Sequence, residues 1–219
     1  MYLIEYGRIL VRRGWIILLL AALAAAGAFL ISRGQTPVYR STQKILIQPS
    51  RTDFGLTEAS RLLLNNLVAY LDSTFIAADI IENLRLDMTP SDLKSKVTID
   101  SDRNSLLVQI DVDMEDEALA ARVAQEWGNE LVRFREQENQ KVRREDQVTA
   151  QLQDNPTISL LRPRAGINAL AGAVLGLLIG GVIVFVLEYL ESSVVRRRDD
   201  LERALNIPVL AGIPDDLQG

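Results

Sequence analysis

Hydrophobic and polar positions along this chain fall into four regimes. Residues 15–31 read "WIILLLAALAAAGAFLI" and residues 165–190 read "AGINALAGAVLGLLIGGVIVFVLEYL". Both runs are long enough to cross a hydrocarbon core about 30 Å thick, which takes roughly 20 helical residues. Between them the pattern alternates. "VYRSTQKILIQ", residues 38–48, lies between Pro37 and Pro49 and predicts a first strand. Leu63, Leu67, Tyr70 and Leu71, then Phe75, Ile76, Ile80 and Leu84, recur at three- and four-residue spacing. They predict helix over 57–86 with Thr57 as cap, and Asp72-Ser73-Thr74 as a place to divide it. Thr89, Pro90 and Asp92 form a short helix start.

"VTID" and "SLLVQIDVD", separated by residues 101–104, predict a hairpin with Leu106, Val108, Ile110 and Val112 on its buried face. Asp113 is the expected cap of a long helix whose first turn carries Glu115, Asp116 and Glu117 and whose stripe is Leu119, Val123, Trp127, Leu131 and Phe134. From 135 to 154 charge dominates, and "TISLLR", 157–162, predicts a last strand. The fold class expected is therefore α+β: two transmembrane helices flanking a small extracytoplasmic domain with a mixed sheet and packed helices. Its segments are a cytoplasmic N-terminus at 1–14, a first span at 15–33, the domain at 34–164, a second span at 165–190 and a cytoplasmic tail at 191–219.

Charge sets the orientation. Arg8, Arg12 and Arg13 precede the first span and Arg196, Arg197 and Arg198 follow the second, so both termini are expected in the cytoplasm. Read instead as a secretory signal, the first run exceeds the usual apolar length, and Trp15 suits an interfacial anchor. The net charge of −5, without a large basic tract, argues against nucleic acid as a partner.

The chain contains no Cys and no His, which removes thiol nucleophiles, imidazole bases, Cys/His zinc sites and disulfides. It has neither a G-x-x-x-x-G-K-[ST] nor a G-x-S-x-G stretch. The acidic run "DVDMEDE" fails as an EF-hand loop beginning at Asp111, because Asp116 and Arg122 stand where Gly and Glu are needed. It reads as a strand end and a helix cap, and it offers no opposed carboxylate pair for glycoside hydrolysis. Arg133, Arg135, Lys141, Arg143 and Arg144 alternate with Glu136, Glu138, Glu145 and Asp146, the pattern of a solvated helix face or subunit contact. No catalytic residue, metal ligand or cofactor is expected.

In the second span Gly172, Gly176 and Gly180 fall every four residues on one face, with Ala165, Ala169 and Ala173 on the adjacent row. Small residues let helix backbones approach in lipid. The row is expected to serve transmembrane oligomerisation or contact with the Ala-rich first span.

In order, these pieces resemble the Wzz-type polysaccharide co-polymerases, or chain-length determinants. The resemblance rests on "YRSTQKILI", "YLDSTFIAADIIENLRL", the hairpin-to-helix passage "VTIDSDRNSLLVQIDVDMEDEALAARVAQEWGNEL", the Gly-rich span and "RRRDDLERALNIPVLAGIP". Larger members insert a long helical hairpin where residues 135–161 are short here, and the proline-rich signature before the second span is reduced to Pro156 and Pro163.

The resemblance implies a bacterial inner or plasma membrane protein, non-enzymatic and homo-oligomeric, acting with a polysaccharide polymerase, a lipid-linked glycan and membrane lipid. It also implies that a tail like "LNIPVLAGIP" meets a tyrosine kinase domain. Since this sequence stops soon afterwards, a separate cytoplasmic kinase is expected to dock on Pro208, Val209, Leu210, Ile213 and Pro214. The alternative is a two-span receptor whose outer domain binds a ligand and signals through the tail.

Overall fold

The computed structural model describes residues 3–51 and 53–192. They divide into two compact units, one of the two terminal helices and one spanning Gln35–Arg164.

The first unit pairs α1 (Leu3–Arg33) with α6 (Ala165–Ser192). Within them, Arg12–Arg33 and Ala165–Leu190 are long and apolar enough to cross a membrane.

The second unit is a five-stranded sheet with helices on one face. The strands are β1 (Val38–Pro49), β2 (Val97–Asp102), β3 (Leu107–Met114), β4 (Val148–Leu152) and β5 (Thr157–Arg162). β1 is central. It pairs with β3 on one edge, and on the other with β4 along its second half and β5 along its first. β2 extends the sheet beyond β3. Every pairing is antiparallel, which corrects the mixed sheet expected from sequence. The physical reason is that each helical crossover skips a strand: residues 50–96 carry the chain from β1 to β2 across β3, and residues 115–147 carry it from β3 to β4 across β1, so strands that run the same way are never neighbours.

The hydrophobic pattern decides which face is covered. Ile45 and Ile47 on β1 and Val108, Ile110 and Val112 on β3 are buried beneath α2 (Phe54–Leu71), α3 (Thr74–Leu84) and α5 (Glu117–Asn139), which contribute Leu64, Leu67, Leu71, Ile76, Ile80, Val123, Trp127 and Leu131. Burial of each such side chain contributes about 1.5–3 kcal/mol. The expected division at 72–74 occurs, with Ser73 capping α3. Arg85 ends that helix in the left-handed region at φ 52°. α4 (Pro90–Ser95) starts as predicted, with the Thr89 hydroxyl accepting from Asp92 N.

Two caps move. Asp53, not Thr57, caps α2, its carboxylate accepting from Leu56 N at 2.8 Å. Asp116, not Asp113, caps α5 and accepts from Ala118 N and Leu119 N. Asp113 stays in β3 because a cross-strand arginine holds it there. Leu106 leaves the predicted buried strand face and takes a positive φ of 53° in the turn before β3.

The charged 135–154 stretch hides real structure. α5 continues to Asn139, and Val148–Leu152 form β4. Arg135 and Asn139 are buried, and Arg135 Nε and Asn139 Nδ2 both donate to the Val148 carbonyl. Val148 N donates back to Asn139 Oδ1 at 3.1 Å, so the helix end and the strand start are locked together.

Gly128 is what lets α5 lie close to the sheet. A Cβ there would stand 2.7 Å from Leu152 Cδ2 and 3.0 Å from Gln43 Cγ. Alanine at this position gains about 1 kcal/mol of helix propensity, which offsets a small shift of Leu152. A β-branched side chain has no such room. Gly128→Val should therefore lower unfolding free energy by about 2 kcal/mol, while Gly128→Ala stays near wild type. Chemical denaturation of the two variants checks the order.

Candidate functional site

Three places concentrate polar or close-packed chemistry, and each follows from the local fold.

The first lies between α1 and α6. A Cβ added to Gly176 would meet Ala21 Cα at 2.7 Å and Leu20 O at 2.8 Å. At Gly172 it would meet Ala24 O and Ala28 Cβ, both at 2.8 Å, and at Gly180 Ile17 Cα at 3.0 Å. The obstructing atoms are mostly backbone, so the glycines permit an approach no other residue allows. The row named for oligomerisation thus meets the Ala-rich helix of its own chain. Polar contacts stand toward both ends of the pair. Asn168 Nδ2 donates to Ser32 Oγ at 2.8 Å, with Ser32 buried, and Arg13 Nε lies 3.5 Å from Glu188 Oε2. Inside a bilayer such polar groups need partners, so these contacts fix the register of the two helices.

The second is the open face of the sheet. Arg40 stands opposite Asp113 and Thr42 opposite Asp111 in the β1–β3 ladder. Arg40 donates to both Asp113 carboxylate oxygens at 2.7 Å, Thr42 Oγ1 donates to Asp111 at 2.5 Å, and Gln109 Nε2 donates to both oxygens of Asp111. The bond it donates to Asp113 holds the Arg40 guanidinium's pKa above its ordinary value, against the opposing effect of burial. These contacts leave Asp111 only 7% exposed on a face that has no helix over it. The carboxylates of the acidic run are therefore committed to a cross-strand network and, at Asp116, to a helix cap. Among the described residues no group of three or more Asp or Glu is arranged to hold a metal.

The third is an open cleft of about 580 Å³ between α3 and α5, lined by Asp79, Glu82, Asn83, Leu84, Glu126, Glu130 and Arg133. Arg133 donates to Glu126 at 3.0 Å and to Glu130 at 2.7 Å. The Tyr70 ring stacks on Phe134 with centroids 4.0 Å apart, and its hydroxyl donates to Glu130 Oε1 at 3.0 Å. Burial first, then the bond to Glu130, push the Tyr70 phenol up from 10.0 to about 12. The folded chain thus holds this proton more tightly than the unfolded chain. Its contribution to stability is complete below pH 10 and is lost as pH rises through about 12. Tyr70→Phe should flatten that alkaline loss, and thermal melts between pH 9 and 12 read the difference.

Sequence reasoning missed Gly128, the Arg135–Asn139 lock and the Arg40 network. Register alone could have exposed the last, since Arg40 and Asp113 pair once β1 and β3 are aligned on their apolar positions. The docking residues expected in the tail, Pro208, Val209, Leu210, Ile213 and Pro214, lie outside the described residues.

Residues 1–97 match the family model described as Wzz, chain length determinant protein. Over its greater length the chain is similar to the probable capsular polysaccharide biosynthesis protein YwqC of Bacillus subtilis (strain 168), 26% identical over 90% of this chain and 81% of the relative. It is 27% identical to the capsular polysaccharide biosynthesis protein CpsC of Streptococcus pneumoniae, over 95% of this chain and 91% of that protein. The capsular polysaccharide type 5 biosynthesis protein cap5A of Staphylococcus aureus (strain Newman) is 22% identical over 81% of this chain and 80% of its own length.

Proposed function

We propose that this chain is a non-enzymatic, oligomeric scaffold in the bacterial plasma membrane that regulates the chain length and assembly of a cell-surface polysaccharide for export. The observation that carries the reading is the Wzz match at residues 1–97 together with relatives, matched over most of their length, that are named for capsular polysaccharide biosynthesis. The two long apolar helices flanking Gln35–Arg164 support anchorage at both ends of that unit. In this reading both termini are cytoplasmic and the sheet-and-helix unit is outside, near the polymerase and its lipid-linked glycan. The glycine row serves assembly by keeping the two spans of each copy tightly paired.

The tail recruits and activates a separate tyrosine kinase. Val209, Leu210 and Ile213, between Pro208 and Pro214, offer apolar side chains each giving about 1.5–3 kcal/mol when fully buried. That suits a weak, regulable contact once the cost of association is subtracted.

Removing the chain from its host should broaden or shift the length distribution of the surface polymer, read by gel separation of extracted polysaccharide; an unaltered distribution would sink the scaffold role. Deleting residues 205–219 should leave oligomers intact and abolish kinase stimulation, and undiminished stimulation would refute docking at the tail.

A further inference from the structure

β5 is an edge strand that leads into the second apolar helix, and it is left bare. Of its six residues, Thr157–Arg162, only Leu161 is even half-buried. Ile158 and Leu160 stand opposite Ser41 and Tyr39 of β1, so they share one side of the strand, and they are 37% and 50% exposed. An apolar edge of this kind is a liability in water unless something covers it.

The chain itself says what lies beside this edge. Ala165 begins an apolar helix long enough to cross a membrane. Leu160 precedes it by five residues, so at most about 18 Å of chain separates the two. Arg162 and Arg164 fall inside that interval, at the level where headgroups meet the end of an apolar span.

Charge around this interval has one sign. Residues 155–187 include no Asp or Glu. Arg40, Arg51, Arg61 and Arg133 each hold a carboxylate elsewhere in the domain. Arg162 and Arg164 are exposed, and neither meets a carboxylate among the described residues. Arg164 Nε donates to the Leu161 carbonyl at 3.3 Å, which leaves its terminal nitrogens for another acceptor. Guanidinium donors are arranged to match the oxygens of a phosphate.

We propose that β5 rests on the bilayer surface where α6 begins, with Leu160 among the uppermost acyl carbons and Arg162 and Arg164 holding the phosphates of anionic phospholipids. A zwitterionic headgroup carries its own cation beside the phosphate, so the contact favours a net negative lipid. Each arginine close to the surface enriches anionic over neutral lipid about fivefold. The inference rests on the reading of Ala165–Leu190 as a span, and it adds a lipid preference that this reading does not contain.

The chain lacks cysteine, so one fluorophore can be attached at a chosen position. The full chain is reconstituted into phosphatidylcholine bilayers holding a minor fraction of lipid brominated near its ester groups. A fluorophore on Leu160→Cys should be quenched, and more strongly by brominated phosphatidylglycerol than by brominated phosphatidylcholine. Adding Arg162→Gln/Arg164→Gln should make the two lipids equal, whereas Arg162→Lys/Arg164→Lys should keep the difference. Lys141→Cys, in the turn after α5, should not respond, and Leu170→Cys, exposed in α6, should be quenched by either lipid. Equal quenching of the Leu160→Cys label by both lipids, with the arginines in place, would overturn the headgroup preference. A Leu160→Cys label as silent as Lys141→Cys would overturn the membrane contact, including the case in which a second copy covers β5. Leu170→Cys separates the two levels: if it is quenched while Leu160→Cys is silent, the span stands without this contact, and if both are silent the span reading fails as well.

Discussion

Gly176→Leu should drive the two terminal helices apart. The substituted Cβ would fall 2.7 Å from Ala21 Cα and 2.8 Å from Leu20 O, and backbone atoms cannot rotate out of the way. Overpacking at such a point costs about 3 kcal/mol, roughly a hundredfold in the pairing equilibrium. The hydrogen bond between Asn168 and Ser32 supplies a reporter, since a Ser32→Cys/Asn168→Cys pair should close into a disulfide while the helices stay together. Gly176→Leu should suppress that cross-link. Gly181→Leu should not, because a Cβ at Gly181 meets nothing within 4 Å. Equal cross-linking in the two leucine variants would remove the argument that the glycine row sets the approach.

Trp127→Ala should have the largest effect on the sheet-and-helix unit. Trp127 is fully buried at the centre of α5, and its indole N–H donates to the Leu71 carbonyl at 3.1 Å, near the end of α2. Truncation removes the ring, leaves a cavity and orphans that carbonyl, a combined cost of about 3–5 kcal/mol. The melting temperature of the full chain, followed by circular dichroism in detergent, should fall by about 10–20 °C. Trp127→Phe keeps most of the volume and loses the hydrogen bond, so its cost should be about 1–2 kcal/mol. A fall no larger for alanine than for phenylalanine would mean that α5 is not packed through this residue.

How far the sequence carried the fold differs from element to element. The apolar runs at 15–31 and 165–190, the hairpin and the division at 72–74 were legible because each has a period or punctuation of its own. Caps were harder. Asp53 and Asp116 lie within a few residues of the rival candidates Thr57 and Asp113, and in the second case a tertiary contact chose between them. Arg40 captures Asp113 for the sheet, leaving Asp116 to begin the helix.

β4 was hidden because Val148–Leu152 alternates weakly inside a charged stretch, and what holds it is the distant β1 register and a buried arginine. The site residues show the same division. The glycine row could be seen at fixed spacing, whereas the Arg40–Asp113 network joins residues 73 apart in the chain and depends on strand pairing.

Single cysteines test the central claim most directly. Lys141→Cys places a thiol where the native side chain is 69% exposed, and Gln218→Cys places one in the tail. With a membrane-impermeant maleimide on intact cells, the account predicts labelling at position 141 at once and at position 218 only after permeabilisation. Equal labelling of both positions before permeabilisation, or of neither, would contradict a chain that crosses the membrane twice.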